Sequence, residues 1–220
     1  MSTYFLAVQS TYSGIELGIF NGIRCIALVT ETKYAASKNF VPLLDQLLVA
    51  QQLILHDLAF IAVNIGPGPF TTLRTVIATA NGLSFATNIP LIGITTFDAM
   101  SYEYRSDEWN LNVYLLDAFG QKVYYAIQHK ETAETIGCAN ISLFLEQLKA
   151  TYTLGLIRFI GNGAQKHQEA IRDIFLSAAQ FSEPSLEGKS LCCLAQSALD
   201  QWHKTRSGVS EVAPVYFELP

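Results

Sequence analysis

Apolar residues follow two rhythms in the first half of this chain, and each change of rhythm marks an element. Tyr4–Val8 is a continuous apolar run, Ile15–Phe20 alternates around Glu16 and Gly18, and Cys25–Val29 follows Asn21-Gly22. Asn-Gly between two apolar runs is a strong hairpin signal, so three consecutive strands are predicted. Gln9–Gly14, rich in hydroxyls, reads as the first hairpin connection. The period then lengthens: Phe40, Leu43, Leu44, Leu47 and Leu48 predict a helix over Lys38–Gln52, with Pro42 near its first turn. Phe60–Ile65 returns to a short β-branched run, as in a strand buried on both faces. A second helix is predicted from Thr71 to Ala86, giving the order βββαβα.

The second half repeats these themes more weakly. Leu91–Ile94 predicts a strand, Thr95-Thr96 a cap, and Phe97–Tyr104 a helix. The polar stretch Arg105–Asn110 is the expected boundary between a first lobe, 1–104, and a smaller one, 105–220. Beyond it, Val113–Leu116 and Val123–Gln128 pair through Asp117-Ala118-Phe119-Gly120. A helix at Ile141–Lys149, a strand at Ile157–Ile160 and Gly161-Asn162-Gly163 follow. Helices at Ala164–Ala178 and Leu191–Thr205 precede the tail Ala213–Phe217. Fewer strands are expected here than in the first half.

The stretch from Ile61 to Arg74 carries the most information. Its strand stops at Gly66-Pro67-Gly68-Pro69, two fixed φ angles beside two permissive glycines, which makes a stiff turn. Thr71 and Thr72 offer hydroxyls to cap the helix that follows. This is not a phosphate cradle of the G-x-x-x-x-G-K-(S/T) type, and both prolines remove N–H groups such a cradle would use. Arg74, in a first turn that disfavours cations, is expected to pair with a carboxylate of the fold or of a partner. The loop therefore reads as positional. Along the helix, Thr72, Thr75, Thr79, Gly82 and Ala86 form a stripe of small residues. Two readings stay open: close packing within the chain, or contact with another subunit.

Composition narrows the classes. With 220 residues, 50% apolar and 15% charged, the chain can bury a core. A net charge of −5 leaves no basic footprint for nucleic acid. No apolar run reaches membrane-spanning length and the N-terminus shows no secretion signal, so a cytoplasmic location is expected. Cys25, Cys138, Cys192 and Cys193 form no C-x-x-C pair and read as buried thiols in a reducing compartment. His56, His129, His167 and His203 lack metal-ligand spacing, and no G-x-S-x-G elbow occurs.

The segment G-P-G-P-F-T-T-L-R, residues 66–74, resembles the G-P-G-S-F-T-G-(L/V)-R signature of the bacterial TsaB (YeaZ) family. Weaker matches fall in the family's order: Phe5-Leu6-Ala7-Val8, Ser37 with Phe40–Leu44, Pro90–Thr96, Asp117-Ala118 with Val123-Tyr124, Gly161–Gly163 and Pro214–Tyr216. The resemblance covers nearly the whole chain. It implies an α/β, two-lobed actin-like ATPase (ribonuclease H-like) fold, with a βββαβα first lobe and a reduced second lobe. It places the chain in the glycoprotease-like branch, related to peptidase M22, of the actin/Hsp70/sugar-kinase superfamily.

By resemblance, the function is that of a non-catalytic subunit. Such proteins bind the catalytic paralogue TsaD and, with the ATPase TsaE, make threonylcarbamoyladenosine at position 37 of tRNA. ATP is used by the complex, no cofactor is assigned to this chain, and tRNA is met only through the assembly. The expected binding residues are Gly66, Pro67, Gly68, Phe70, Thr71, Thr72, Arg74, Thr75, Thr79 and Gly82. Together with the helix at Lys38–Gln52, that helix surface is expected to meet the paralogue, or a second copy when the chain is alone. Departures from the family pattern are Gln9 for an acid, Ala36 for a histidine, Pro69 and Thr72 within the signature, and Phe119 and Lys122 for Arg and Glu. Glutamine at 9 cannot supply the charge that holds a metal–nucleotide. The alternatives are a nucleotide-dependent kinase or hydrolase, a peptidase, or a diverged regulator with another partner.

Overall fold

The computed structural model describes residues 3–105, 109, 111–129, 135–152, 155–183 and 189–217. The first elements are β1 (Tyr4–Ser10), β2 (Gly14–Asn21), β3 (Arg24–Thr32), α1 (Ala36–Ala50), β4 (Leu58–Asn64), α2 (Phe70–Thr87), β5 (Leu91–Ile94) and α3 (Thr96–Glu103). Then come β6 (Leu111–Asp117), β7 (Lys122–His129), β8 (Thr135–Asn140), α4 (Ile141–Thr151) and β9 (Ile157–Ile160). The last are α5 (Asn162–Lys166), α6 (Gln168–Phe175), β10 (Ala179–Phe181) and α7 (Lys189–Thr205). The chain forms two compact units, Met1–Glu103 with Leu186–Val215, and Tyr104–Ser185 with Tyr216–Pro220.

The first unit is built on a five-stranded sheet in the order β3-β2-β1-β4-β5. β1–β3 are antiparallel neighbours, while β1, β4 and β5 run parallel. The apolar runs of β1 and β4 are continuous because helices cover both faces of the sheet. Leu6, Val8, Ile61 and Val63 pack with Phe40, Leu44, Leu47 and Leu48 of α1 and with Leu73, Val76, Ile77 and Ala80 of α2. The alternate residues Phe5, Ala7, Phe60 and Ala62 pack with Ala99 of α3 and Leu191, Leu194, Ala195, Ala198 and Leu199 of α7. Phe60 lies 4.4 Å from Phe5 and 5.0 Å from Trp202, centroid to centroid. Thus α7, which the sequence puts beyond residue 105, completes the core of the first unit.

The second unit repeats the topology, with a five-stranded sheet in the order β10-β9-β6-β7-β8. Read from the other edge this is β8-β7-β6-β9-β10, the connectivity of the first sheet. The expectation of fewer strands is therefore corrected. β8 has the sequence T-I-G-C-A-N, with little apolar alternation, and β10 is three residues long. Reduction lies in the helices: α4, α5 and α6 have 11, 5 and 8 residues, against 15 and 18 in α1 and α2. The single helix expected over Ala164–Ala178 is also corrected. It breaks at His167, whose N–H bonds the Gly163 carbonyl while its own carbonyl accepts from Ile171.

A strap after α7 ties the first unit together. Val209 forms a two-way bridge with Leu91 at 2.8 and 2.9 Å, and Val215 N–H donates to the Ile65 carbonyl at 2.8 Å. Between them Asn81 of α2 brackets Val212, accepting from its N–H at 3.0 Å and donating to its carbonyl at 2.9 Å. Asn81→Leu leaves both groups of this buried residue unpaired, so unfolding stability should fall by about 1–3 kcal/mol. A urea midpoint unchanged from wild type would show that the bracket carries nothing.

Candidate functional site

The motif loop hangs from the C-terminal ends of the parallel strands. Ile65 N–H bonds the Ile94 carbonyl, Thr96 N–H bonds the Gly66 carbonyl at 2.8 Å, and Thr96 Oγ1 donates to the Pro67 carbonyl at 2.7 Å. Asn64 Nδ2 in turn donates to Thr96 Oγ1 at 3.0 Å. Gly66 has φ +94°, and a Cβ there would lie 2.8 Å from Leu73 Cδ2, so glycine is required. The loop is rigid because neighbouring strand ends hold its carbonyls.

The cap proposed from sequence is corrected. α2 starts at Phe70 with Pro69 as its N-cap, and no side chain caps it. Thr72 Oγ1 instead donates to the Pro69 carbonyl at 3.2 Å, and Thr72 is buried. Proline fixes the entry φ, which leaves the threonines free for other roles. Thr75 and Thr79 hydroxyls bond the carbonyls four residues back, at 3.0 and 2.8 Å, and expose their remaining surface in part. Gly66 and Pro67 are buried, Gly68 half-buried, and Phe70, Thr71, Arg74 and Gly82 exposed. The Arg74 guanidinium lies 3.8 Å from the Phe70 ring centroid, a stacked cation–π contact.

The outward surfaces of α1 and α2 both carry exposed apolar side chains among polar ones. Val41 and Val49 of α1 are exposed, as are Phe70 and Phe85 of α2, the last at 89%. Around Phe85 stand Ala78, Gly82 and Ala86, all exposed, and a Cβ on Gly82 would meet nothing within 4 Å. Ala78 and Phe85 carry no signal in the small-residue stripe, yet they define the outward face of the helix.

The positions where sequence suggested lost charge chemistry are occupied by structural hydrogen bonds. Gln9, buried at the end of β1, donates to Glu16 Oε2 at 2.6 Å and accepts from Ser190 Oγ at 3.2 Å. Asp117 accepts from Lys166 Nζ at 2.7 Å and from Phe119 N–H at 3.1 Å, while its own N–H donates to Asn162 Oδ1. Lys166 also reaches the Gly120 carbonyl at 3.0 Å, which pins the β6–β7 turn. Among the described residues, no group of three or more His, Cys, Asp or Glu is placed to hold a metal ion.

His167 lies beside this network with Nε2 buried and unpartnered among the described residues. Burial, and secondarily Lys166, lowers its pKa, with Asp117 opposing. The folded state therefore binds its proton less readily than the unfolded chain. Stability is full above about pH 6.5 and declines as pH falls through that value. Urea midpoints at pH 7.5 and 5.5 should differ more for wild type than for His167→Gln; equal slopes would exclude this origin.

A family model described as TsaD, tRNA N6-adenosine threonylcarbamoyltransferase, matches residues 30–208. The chain belongs to this family, among its TsaB/YeaZ members. It is 27% identical over 101 residues to the TsaB protein of Buchnera aphidicola subsp. Schizaphis graminum, covering 46% of this chain and 48% of that one. It is 31% identical over 126 residues to the uncharacterized protein ML0378 of Mycobacterium leprae, covering 55% of this chain and 34% of that one. The matches thus span about half the length, or less, of these curated relatives. YeaZ from Pseudomonas aeruginosa superposes with a TM-score of 0.74 at 19% identity, over 98% of this chain and all of that one. The ROK hexokinase of Thermus thermophilus superposes with a TM-score of 0.55 at 9% identity, over 91% of this chain. The TsaB/YeaZ member described here therefore has the two-unit actin-like fold shared with sugar kinases.

Proposed function

We propose that this protein is the non-catalytic subunit of an assembly that makes threonylcarbamoyladenosine at position 37 of tRNA. In this reading the outward face of α1 and α2 binds a TsaD-like catalytic paralogue, and a TsaE-like ATPase completes the complex. ATP is consumed by the complex, tRNA is reached only through it, and the assembly works in the cytoplasm. Alone, the chain pairs with a second copy through the same face.

The observation that carries the reading is the exposed apolar side chains of α1 and α2: Val41 and Val49 on α1, Phe70 on α2, and Phe85 on α2 with the exposed Ala78, Gly82 and Ala86 at helical spacing around it. Large apolar side chains with small neighbours suit helix-on-helix docking, since knobs need grooves. Gln9, held as a neutral amide between Glu16 and Ser190, supports a subunit without phosphoryl-transfer chemistry of its own. The test is recovery of the tagged chain from its own cells, with partners identified by mass spectrometry. The paralogue is expected to co-purify; its absence, with only the chain itself recovered, would overturn the reading.

A further inference from the structure

We propose that a groove between the last turns of α2 and the strap receives Arg74 of a second copy of the chain, which pairs there with Glu211. The inference rests on the reading that two copies meet through the outward face of α1 and α2, and it names the contact that orients them. The groove encloses about 660 Å³, with Asn81, Gly82 and Phe85 on one wall and Val209 and Glu211 on the other. Two contacts set the distance between the walls: Val209 pairs with Leu91, and Asn81 brackets Val212, the neighbour of Glu211. Gly82 leaves the space open, since even a Cβ there would meet nothing within 4 Å.

The chemistry of the groove suits a cation. Glu211 is the one charged side chain in its lining; it is exposed and has no ionic partner among the described residues. The C-terminal end of α2 adds the negative pole of an 18-residue helix, and no basic residue in the last turn offsets it. Phe85 supplies an exposed aromatic ring on which a guanidinium can stack. A planar guanidinium uses the carboxylate, the dipole and the ring together; an anion is repelled by all three.

The complementary group stands near the other end of the same helix. Arg74 is exposed, and its guanidinium stacks on Phe70, which fixes its plane and leaves its N–H edge able to donate outward. Thr71, Arg74, Ala78, Gly82 and Phe85 form one exposed line along α2, three or four residues apart. Ala78 and Gly82, the small members, are where two helices can approach most closely. A two-fold axis between them sets α2 antiparallel to its copy, so residues equally far from the axis meet. Arg74 and Ala86 are equally far from position 80, about 9 Å along the helix. Arg74 of one copy thus arrives at the turn of the other that carries Gly82 and Phe85, the wall of the groove. Symmetry makes the contact twice.

The test is charge reversal in the full chain, with self-association measured by sedimentation at low salt. Glu211→Arg and Arg74→Glu should each weaken the dimer at least about 10-fold, because each sets like charges against one another. Combined in one chain, the two changes re-form the pair with its signs exchanged, and the dissociation constant should return to within about threefold of wild type. Ala78→Arg, on the helix line but outside the groove, should break the dimer whatever fills the groove. All three positions are exposed, so melting curves of the variants should match wild type. Failure of the double variant to recover would overturn the pairing. A dimer that tolerates both reversals but not Ala78→Arg would overturn the groove contact and leave the α2 face in place. A wild-type chain that stays monomeric, or a dimer indifferent to Ala78→Arg, would overturn both.

Discussion

Gly82→Arg is expected to leave the fold intact and to weaken association with the paralogue at least about 100-fold, or roughly 2.7 kcal/mol. The position is suited to the test because a side chain there meets nothing within the chain. Replacing glycine inside a helix also removes its unfavourable propensity, so the melting temperature should hold or rise. Across a helix-on-helix interface, by contrast, arginine fills the groove left by Gly82 and buries an unpaired charge beside Phe85. A substitution that stabilises the monomer while abolishing the complex separates surface from core. Titration calorimetry and circular dichroism read the two effects. Native affinity in the variant would remove this face of α2 from the interface.

Gly14→Ala is expected to be the most damaging single-methyl change in the first unit. A Cβ at this position would lie 1.8 Å from the Glu31 carbonyl oxygen and 2.8 Å from the Glu31 carbonyl carbon. Both atoms belong to the backbone, so no side chain can swing aside; the end of β3 has to move. That movement separates Gly14 from Thr32 and strains the hairpin in which Thr11 N–H bonds the Gly14 carbonyl. Overpacking of this kind costs about 3 kcal/mol or more. Urea unfolding should show the loss. A variant within 0.5 kcal/mol of wild type, the usual size for a neutral surface change, would mean that the strands part without cost.

Much of the first unit was legible in the sequence. Strands buried on both faces announce themselves as unbroken apolar runs, and those of β1 and β4 divide cleanly between the two layers of helices. The helix α2 was found within one residue at each end because a glycine–proline turn precedes it and Asn88, with φ +58°, ends it. What escaped were features without local signal. β8 and β10 are short and weakly apolar, and their places in the sheet come from pairing with β7 and β9. α7 returns to the first unit through side chains that read only as one more amphipathic helix.

The site shows the same division. Gly66 and its prolines mark the loop at a glance, but the hold exerted by Asn64 and Thr96 depends on strands that only the fold sets side by side. Asn81 and Val212, 131 positions apart, offered no clue to each other. The Gln9–Glu16 pair escaped as well, because the connection read as Gln9–Gly14 is shorter in the fold: Gln9 and Ser10 belong to β1 and Gly14 to β2, which sets Gln9 opposite Glu16. Phe85 carries no periodic signal of its own, because it stands as one large side chain among small ones on the exposed side of α2.

The central claim is tested most directly by measuring threonylcarbamoyladenosine in the tRNA of cells depleted of this protein. The account predicts that the modified nucleoside falls on depletion, returns with the wild-type chain, and stays low with Gly82→Arg expressed to the same level. Normal modification in the depleted cells would contradict it.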